Sequence, residues 1–390
     1  MIKLKLLMNK LDDILFLKEI YGHICAGIRK LTAMKERIYV CHTFYHVYVV
    51  CLKELALPTE KQGQAELVLS TMSNNFGTLP QRAKQCRLFA AVHLYDEKED
   101  TAFPALAKYH KDRGNIVVNM LARIRYTKLL GKMQEPYVPV DFRQYKDIYV
   151  FCDSDPIGYY LSYRKIYYHA LEDGLNCIQY YDTARYDNKG HFEFKAWMAA
   201  HNLIFIQNGY GKYCLDMEIN DKSVVPYPCD KYIEQPRAAL VDRLTEEDKE
   251  LLLRLFLEDM DGLMEKLNRG AEDKILVLSE PLCDLEVRKK IFSDIIEQYG
   301  MIDGRRGQIL IKPHPRDVLD YEKEFSQHIV LSGFFPMEML NFIPGLRFRK
   351  VISVLTVPNG IKFAEEILFL GEDFLDKYEA PELHRQNEQI

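Results

Sequence analysis

The sequence predicts an α/β protein built from two doubly wound domains that face each other across a cleft. Short apolar runs rich in Val, Ile and Leu alternate with longer helical stretches in both halves of the chain. Near-continuous apolar strands separated by helices are typical of parallel sheets that are covered on both faces. The length of 390 residues also favours two domains, since a single domain commonly takes ~100–200 residues.

Each half of the chain has its own series of strands and helices. In the first half we predict strands at 37–41, 66–70, 147–152 and 203–207, with helices at 45–55, 104–130 and 159–171. In the second half we predict strands at 274–278, 308–312, 328–331 and 350–355, with helices at 284–299, 316–326 and 336–342.

The domain boundary is predicted where prolines break the regular pattern. Pro226, Pro228 and Pro236 precede a charged amphipathic stretch at 240–267, part of which Thr245 is placed to cap. The predicted divisions are an N-terminal helix at 1–36, a first domain at 37–245, a second domain at 246–370 and a polar C-terminal tail at 371–390.

The N-terminal stretch reads as an extra amphipathic helix. Apolar residues recur at three- and four-residue spacing over 4–31, and charged residues interrupt them. The stretch is therefore too polar to span a bilayer, and it lacks the pattern of a signal peptide. Packing on the protein body or in a homodimer is the simpler interpretation, and peripheral contact with a membrane surface is left open.

Composition limits the function classes. The formal net charge of −5 gives no general reason to expect a nucleic-acid partner. Nine scattered cysteines without a C-x-x-C pair favour reduced thiols in a cytoplasmic protein. The loop acids Asp153 and Asp155 have no further ligand at a telling spacing, so we predict no metal site.

A pair of adjacent acids is the first candidate for catalysis. Glu172-Asp173-Gly174 is expected to end the helix at 159–171, with Gly174 as its C-cap. Two acids at a helix C-terminus oppose the helix dipole, so they are poorly placed for stability. Residues that break a local rule in this way often mark a functional site, here a carboxylate suited to general-base work.

A histidine flanked by cations is the second candidate. His314 follows the apolar strand 309–311 and lies between Lys312 and Arg316, and Pro315 is expected to begin a helix. Ligands of open parallel sheets bind beyond the carboxyl ends of the strands, and a helix N-terminus there attracts phosphate. We therefore expect His314 to face a phosphate whose binding raises the pKa of His314.

Other polar side chains follow further strands of the two sheets. The hydroxyls of Ser353 and Thr356 could reach a phosphate, and Glu338 could accept hydrogen bonds from a ribose or simply cap a helix. Another loop on this edge carries Glu280. Loops that are expected to face the cleft from the first domain contribute His42, Thr43, Asp153 and Asp155.

The set of motifs resembles that of bacterial sialyltransferases of the lipooligosaccharide and capsule type. These enzymes carry an acidic-acidic-Gly motif, a His-Pro motif and a later Ser/Thr motif in the same order, and the resemblance covers roughly 37–370. The segment 336–340 is similar to the one whose glutamate holds the nucleotide ribose in related enzymes, and 39–43 is similar to the first strand and loop.

The resemblance implies a GT-B fold and an inverting, metal-independent transfer from CMP-sialic acid to a glycan acceptor. It makes the first domain the acceptor side and the second the nucleotide-sugar side, with no cofactor besides the donor substrate. Glu172 or Asp173 would be the base, and His314 would stabilise or protonate the leaving phosphate. The implied donor contacts are Lys312, Pro315, Arg316, Glu280, Glu338, Ser353 and Thr356.

Two alternatives stay open at the level of the sequence. One is a transferase that uses a different donor such as a UDP-hexose. The other is a non-catalytic nucleotide-sugar-binding protein that serves glycan assembly. The expected location is the cytoplasm, or the inner face of the cell membrane.

Overall fold

A computed structural model describes residues 34–174, 177–178, 183–227, 229–269, 273–356 and 360–380. The predicted N-terminal helix lies almost wholly outside these described residues, as does the end of the predicted C-terminal tail. Within the described part, no helix is long and apolar enough to cross a membrane.

The first half forms a seven-stranded parallel sheet in the order β3-β2-β1-β4-β5-β6-β7. Its strands are β1 Lys35–Cys41, β2 Ala65–Ser70, β3 Phe89–Tyr95, β4 Tyr145–Phe151, β5 Tyr168–Leu171, β6 Cys214–Ile219 and β7 Tyr232–Glu234. The helices in this half are α1 Phe44–Leu55, α2 Leu79–Gln85, α3 Ile116–Met133, α4 Pro156–Arg164, α5 Thr183–Tyr186 and α6 Phe192–Ala200.

The second half forms a five-stranded parallel sheet in the order β12-β11-β8-β13-β14. Its strands are β8 Lys274–Leu278, β11 Gln308–Lys312, β12 Ile329–Val330, β13 Phe348–Ser353 and β14 Ala364–Phe369, and a small hairpin pairs β9 Met301–Ile302 with β10 Arg305–Arg306. The helices that follow the last strand of the first sheet are α7 Arg237–Val241, α8 Glu246–Phe256, α9 Met260–Asn268, α10 Leu285–Tyr299 and α11 Tyr321–Glu324.

The α/β class with parallel sheets is confirmed. The strands β8 and β11 match the sequence prediction residue for residue. Thr245 caps α8 through a capping box with Asp248, although the predicted long helix at 240–267 is divided among α7, α8 and α9. The predicted domain bounds stay a prediction.

Three element predictions near the site are wrong. The predicted helix at 159–171 ends at Arg164, and Tyr168–Leu171 is a strand, so the two acids follow a strand instead of a helix. No strand forms at 203–207. The predicted helix at 316–326 is reduced to the single turn α11, which begins at Tyr321.

The two halves are joined by a shared hydrophobic cluster. The ring of Phe44 lies 6.2 Å from that of Phe334, measured between centroids. Tyr48 of α1 lies 6.5 Å from both Phe256 and Phe342. The contacts bring the start of α1 close to the loop that follows β12 in the second half.

Candidate active site

The first sheet has a switch point between β1 and β4, where successive strands are added in opposite directions. Ligands of doubly wound sheets bind in the crevice at such a point, beyond the carboxyl ends of the strands. The loops at this edge carry His42 after β1, Cys152 after β4 and Asp173 after β5.

Asp173 is held by a histidine of α1. The backbone N–H of His42 donates to Nδ1 of His46 at 3.0 Å. That nitrogen is therefore an acceptor, so the ring proton lies on Nε2, which donates to Asp173 Oδ1. The His46 ring is fully buried and stacks on Phe151 with a centroid distance of 4.2 Å, so both the tautomer and the orientation of the donor are fixed.

The two adjacent acids have different roles in the structure. The Glu172 side chain is 1% exposed, and its carboxylate accepts hydrogen bonds from Arg237 Nη1 at 3.0 Å and from the Asn220 N–H at 2.6 Å. The Asp173 side chain is 45% exposed. Glu172 is therefore part of a buried ion pair that holds the strand end, and Asp173 is the acid that a substrate can reach.

The surroundings of Asp173 favour its charged form. Burial raises the pKa of this carboxyl, but the charge of His46 and the hydrogen bonds from His46 and the Cys152 thiol outweigh that effect and hold the pKa well below its usual range. Burial lowers the pKa of His46. The Asp173 carboxylate is therefore ionised, and it accepts the Nε2–H of His46.

His42 lies in a second buried cluster of charges. Its Nε2 lies 2.9 Å from Glu97 Oε2 and 3.3 Å from Asp155 Oδ2. Burial lowers the pKa of His42, but the two carboxylates outweigh it and raise the value to about 9. Burial raises the pKa of Asp155 to about 7; the positive charge of His42 opposes this rise, and the negative charge of Glu97 adds to it. His42 is therefore a buried cation beneath the partly exposed Asp155.

Thr43 and Asp153, both predicted to contact the acceptor, are used inside the protein. The Thr43 hydroxyl caps α1 by accepting the His46 N–H at 3.1 Å. Asp153 is buried and accepts hydrogen bonds from the Tyr168 hydroxyl at 2.9 Å and the Asn208 N–H at 3.1 Å. Asp155 and Thr43 are partly exposed, and His42 and Asp153 are buried, so Asp155 is the predicted acceptor-side acid that remains accessible.

Side chains of His42, His46 and Cys152 bring ligand-type atoms within 4.8 Å of one another. The ligand-type atoms are already in use, because Nδ1 of His46 accepts a backbone N–H and the protonated Cys152 thiol donates to Asp173. His42 is a cation, which would repel a metal ion. Among the described residues this group therefore acts as a hydrogen-bonded cluster.

In the second half, His314 lies in a turn directly after β11. The Asp317 N–H donates to the His314 carbonyl at 2.9 Å, which gives a four-residue turn with Pro315 in its second position. The His314 N–H donates to Ser279 Oγ at 3.2 Å, and the Arg316 N–H donates to Nδ1 of His314 at 3.2 Å. The ring proton therefore lies on Nε2, as it does in His46.

A buried network holds this turn. Asp317 accepts hydrogen bonds from Arg288 Nη1 at 2.6 Å, from the Tyr321 hydroxyl at 2.8 Å and from Ser279 Oγ at 3.1 Å. Burial, followed by the charges of Arg316 and Lys312, lowers the pKa of His314 to about 4. His314 is therefore a neutral N–H donor when no ligand is bound.

Lys312 is buried at the start of the turn, and Glu338, which is partly exposed, lies within electrostatic range of it. The Lys312 ammonium lies 4.2 Å from the centre of the Phe335 ring, and burial lowers its pKa to about 7. Burial raises the pKa of Glu338, opposed by the charges of Lys312 and Arg237. The guanidinium of Arg316 is exposed.

The remaining predicted donor contacts lie at the ends of β8 and β13. The Glu280 carboxylate is buried and accepts the N–H groups of Leu355, at 3.0 Å, and of Thr356. It therefore stabilises the loop after β13 and is not available to a ligand directly. Ser353 is buried, and its Oγ has no hydrogen-bond partner within the described residues.

Tyr45 connects the two sides of the site. Its ring lies 5.6 Å from the Arg237 guanidinium that pairs with Glu172. Burial raises the pKa of Tyr45, and the carboxylates of Glu338 and Asp173 raise it further. The Tyr45 hydroxyl is therefore within electrostatic range of Asp173 in the first half and of Glu338 in the second half.

Sequence reasoning missed several residues of the site, namely Tyr45, His46, Glu97, Cys152 and Arg237. His46 follows His42 by four positions at a strand-to-helix turn, and that spacing was the available signal. Glu97 was missed because β3 was not recognised.

Comparison with known proteins agrees with this geometry. The model of glycosyltransferase family 52 matches residues 97–355, which is more than half of the chain. The chain belongs to glycosyltransferase family 52. The resemblance to bacterial sialyltransferases that the motifs suggested is thereby confirmed at the level of the family.

A curated relative and two solved structures are similar to this family 52 member. An uncharacterised protein of Haemophilus influenzae is 28% identical over 132 residues, which span 33% of this chain and 40% of that protein. A 2,6-sialyltransferase of Photobacterium sp., solved with CMP and lactose, is 10% identical with a TM-score of 0.53, covering 91% of this chain and 77% of that one. An α-2,3-sialyltransferase of Photobacterium phosphoreum is 11% identical with a TM-score of 0.49, covering 85% and 89%.

The 2,6-sialyltransferase of Photobacterium sp. shares the overall fold with this chain, and the expected GT-B fold is confirmed. At 10% identity the likeness concerns the fold alone.

Proposed function

We propose that this protein is an inverting sialyltransferase that moves sialic acid from CMP-sialic acid to a hydroxyl of a lipooligosaccharide or capsule glycan, without a metal ion. The observation that carries the proposal is the exposed, ionised Asp173, which His46 orients at the edge of the sheet where substrates of this fold bind. Membership of glycosyltransferase family 52 supports the same reaction class.

In the proposed reaction Asp173 is the general base. One carboxylate oxygen is engaged by His46, and the other is left to take the proton of the acceptor hydroxyl. The acceptor oxygen forms a bond to the anomeric carbon of sialic acid while the bond from that carbon to the phosphate oxygen breaks. Attack on the face opposite the phosphate inverts the anomeric configuration and releases CMP.

His314 acts on the departing phosphate. The Nδ1 of its ring accepts the Arg316 N–H, so the Nε2–H is left to donate to a ligand. Donors fixed in place where charge develops can lower the barrier without reorganisation. The Arg316 charge and the unpartnered Ser353 hydroxyl are further phosphate contacts in this proposal, while Lys312, which is buried, supplies charge from beneath the turn.

The other predicted contacts take narrower roles. Glu338 remains the proposed ribose contact, and Asp155 with His42 beneath it is the proposed acceptor contact. The loops are shaped by Glu280, Thr356, Thr43 and Asp153.

A cytoplasmic site of action is part of the proposal. The CMP and lactose bound to the Photobacterium enzyme support a nucleotide donor and a glycan acceptor for a protein of this fold.

Transfer can be measured directly with the purified protein, CMP-sialic acid and a panel of galactose-terminated acceptors in the presence of a chelator. We expect CMP release together with a sialylated product in the α configuration. Product formation from a UDP-hexose but not from CMP-sialic acid would replace the donor assignment. Binding of CMP without any transfer would indicate a nucleotide-sugar-binding protein.

A further inference from the structure

The central strand of the second sheet ends in two buried polar residues. β8 lies between β11 and β13 in that sheet, and the loops that follow β11 and β13 carry the proposed phosphate contacts. Ser279 and Glu280 come directly after β8, and they are only 3% and 5% exposed. Ser279 bonds to the loop after β11, and Glu280 bonds to the loop after β13.

Ser279 holds the turn after β11. Its backbone N–H donates to the Lys312 carbonyl at 3.1 Å, and its hydroxyl accepts the His314 N–H at 3.2 Å. Pro313 and Pro315 have no backbone N–H, so the tripeptide centred on His314 has a single backbone donor. Ser279 binds that donor and thereby fixes the backbone from which the imidazole projects.

The direction of the Ser279 hydroxyl is itself fixed. The hydroxyl donates its proton to Asp317 Oδ2 at 3.1 Å. The Asp317 side chain is fully buried and pairs with Arg288, whose Nη1 lies 2.6 Å from Asp317 Oδ1. Because the proton points to Asp317, a lone pair of the Ser279 oxygen is left for the His314 N–H.

Glu280 holds the loop after β13. Its carboxylate accepts the N–H groups of Leu355, at 3.0 Å, and of Thr356. Burial raises the pKa of Glu280, and these hydrogen bonds oppose the rise. The backbone of the neighbouring loop therefore stabilises the charge of Glu280, and the carboxylate in turn fixes the path of that loop directly after Ser353.

We propose that Ser279 and Glu280 are positioning residues that hold the His314 turn and the loop after Ser353 at a fixed separation, so that both loops reach the leaving phosphate. The inference rests on the proposed transfer reaction, to which it adds two residues that do not touch the substrate. Donors that are fixed before the reaction need no reorganisation as charge develops. A misplacement of about 1 Å can cost ~10²-fold in rate, so the separation of the two loops matters for transfer.

The first test is spectroscopic and does not depend on transfer. In the wild type, the nitrogen NMR shifts of the His314 ring should show the Nε2–H form, because Nδ1 accepts the Arg316 N–H. In Ser279→Ala the His314 N–H loses its partner and the turn is released, so we expect a mixture of the two neutral ring forms. The signals missing in His314→Asn assign the ring. A wild-type pattern in Ser279→Ala would overturn the role of Ser279.

The second test is a pair of double-mutant cycles in the transfer assay. Ser279→Ala should lower kcat by about tenfold, with a smaller change in the dissociation constant of CMP. The same substitution should have little further effect in His314→Ala, because Ser279 acts through His314. Glu280→Gln places an amide NH2 against the N–H groups that the carboxylate accepts, and it should lower kcat similarly but have little further effect in Ser353→Ala. Losses that simply multiply in either double variant would remove the positioning role of that side chain.

Controls separate positioning from a general loss of stability. Ser279→Thr keeps the hydroxyl and should restore both kcat and the Nε2–H form of His314. Tyr378→Phe removes a hydroxyl that donates to Asp294 at 2.8 Å elsewhere in the second half, and it should leave both readouts unchanged. An equal loss of kcat in Tyr378→Phe would attribute the effect to stability and overturn the proposal.

Two further outcomes are distinguished by this design. If Ser279→Ala does not fold, Ser279→Cys keeps the volume of the side chain with a weaker donor and acceptor, and it serves both tests. Failure of the wild type to transfer sialic acid would remove the proposed function. Wild-type behaviour of the Ser279 variants, in a protein that does transfer sialic acid, would remove this inference alone.

Discussion

At the scale of single residues, neighbouring acids serve opposite purposes. Side chains alternate between the two faces along extended backbone, so Glu172 and Asp173, which directly follow β5, point in different directions. Glu172 turns inward to Arg237, and Asp173 turns outward to the site. The sequence shows two equivalent acids, and choosing between them requires the position of Arg237, which is distant in the chain.

Removal of the His46 donor should change the pH dependence of transfer. Asp173 has a depressed pKa, so activity is present above that pKa and is lost as pH falls through it. In His46→Phe the pKa of Asp173 should rise, and the acid limb of kcat/KM should move to higher pH with a loss of roughly tenfold or more at neutral pH.

His169→Phe is the matched control for that experiment. His169 also pairs with an aspartate, Asp216, at 2.8 Å, but it does so away from the site on β5. Its replacement should leave the pH profile unchanged. An unshifted acid limb in His46→Phe would show that His46 does not act on the base.

His314 should respond to the nucleotide. Its pKa is about 4 because burial and two neighbouring cations disfavour the imidazolium. A bound phosphate dianion favours the charged form, so CMP should raise this pKa. A proton NMR titration with and without CMP measures the change, and the signal missing in His314→Asn assigns the resonance. The exposed His110 should not respond to CMP. A His314 titration curve that CMP leaves unchanged would show that His314 does not contact the phosphate.

At the scale of elements, the sequence identified the strands that carry a continuous apolar run. The bounds of β8 and β11 were recovered because both strands are buried on two faces and the chain turns directly after them. The strand β5 was mistaken for the end of a helix. The helix α4 ends with Lys165 in the left-handed conformation, where glycine is usual, so its end carried no recognisable signal.

The turn at His314 was mistaken for the start of a helix. The sequence Pro315-Arg316 is common at a helix N-terminus, but Asp317 is drawn into the interior by Arg288 and Tyr321. The N–H donors expected from a helix are therefore absent next to His314 among the described residues. The expected phosphate site depends on side chains to a greater extent than the sequence suggested.

The cap of α1 is expected to matter for both stability and activity, because Thr43 bonds to the backbone of His46. Thr43→Ala should lower the free energy of unfolding by about 1 kcal/mol. It should also reduce transfer, because the first turn of α1 positions the imidazole. Thr43→Ser keeps the hydroxyl and should behave like the wild type in both denaturant unfolding and transfer assays. Equal stability of the Ala and Ser variants would contradict this role.

At the scale of the whole molecule, the site depends on contact between the two halves. The motifs predicted the family and the GT-B fold because they follow strands in a fixed order. They could not give the contacts among distant residues, such as Phe44 with Phe334 or Arg237 with Tyr45, that set the halves against each other. These contacts hold α1, which carries His46, against the second half of the chain, which carries His314.

The most direct test of that arrangement compares the two acids in the transfer assay. Asp173→Asn should lower kcat by ~10²–10⁴-fold with unchanged folding and CMP affinity. Glu172→Ala should lower the free energy of unfolding by about 3 kcal/mol because it removes the carboxylate that neutralises the largely buried Arg237 guanidinium. Near-normal transfer by Asp173→Asn would contradict the assignment of Asp173 as the base on which this account depends.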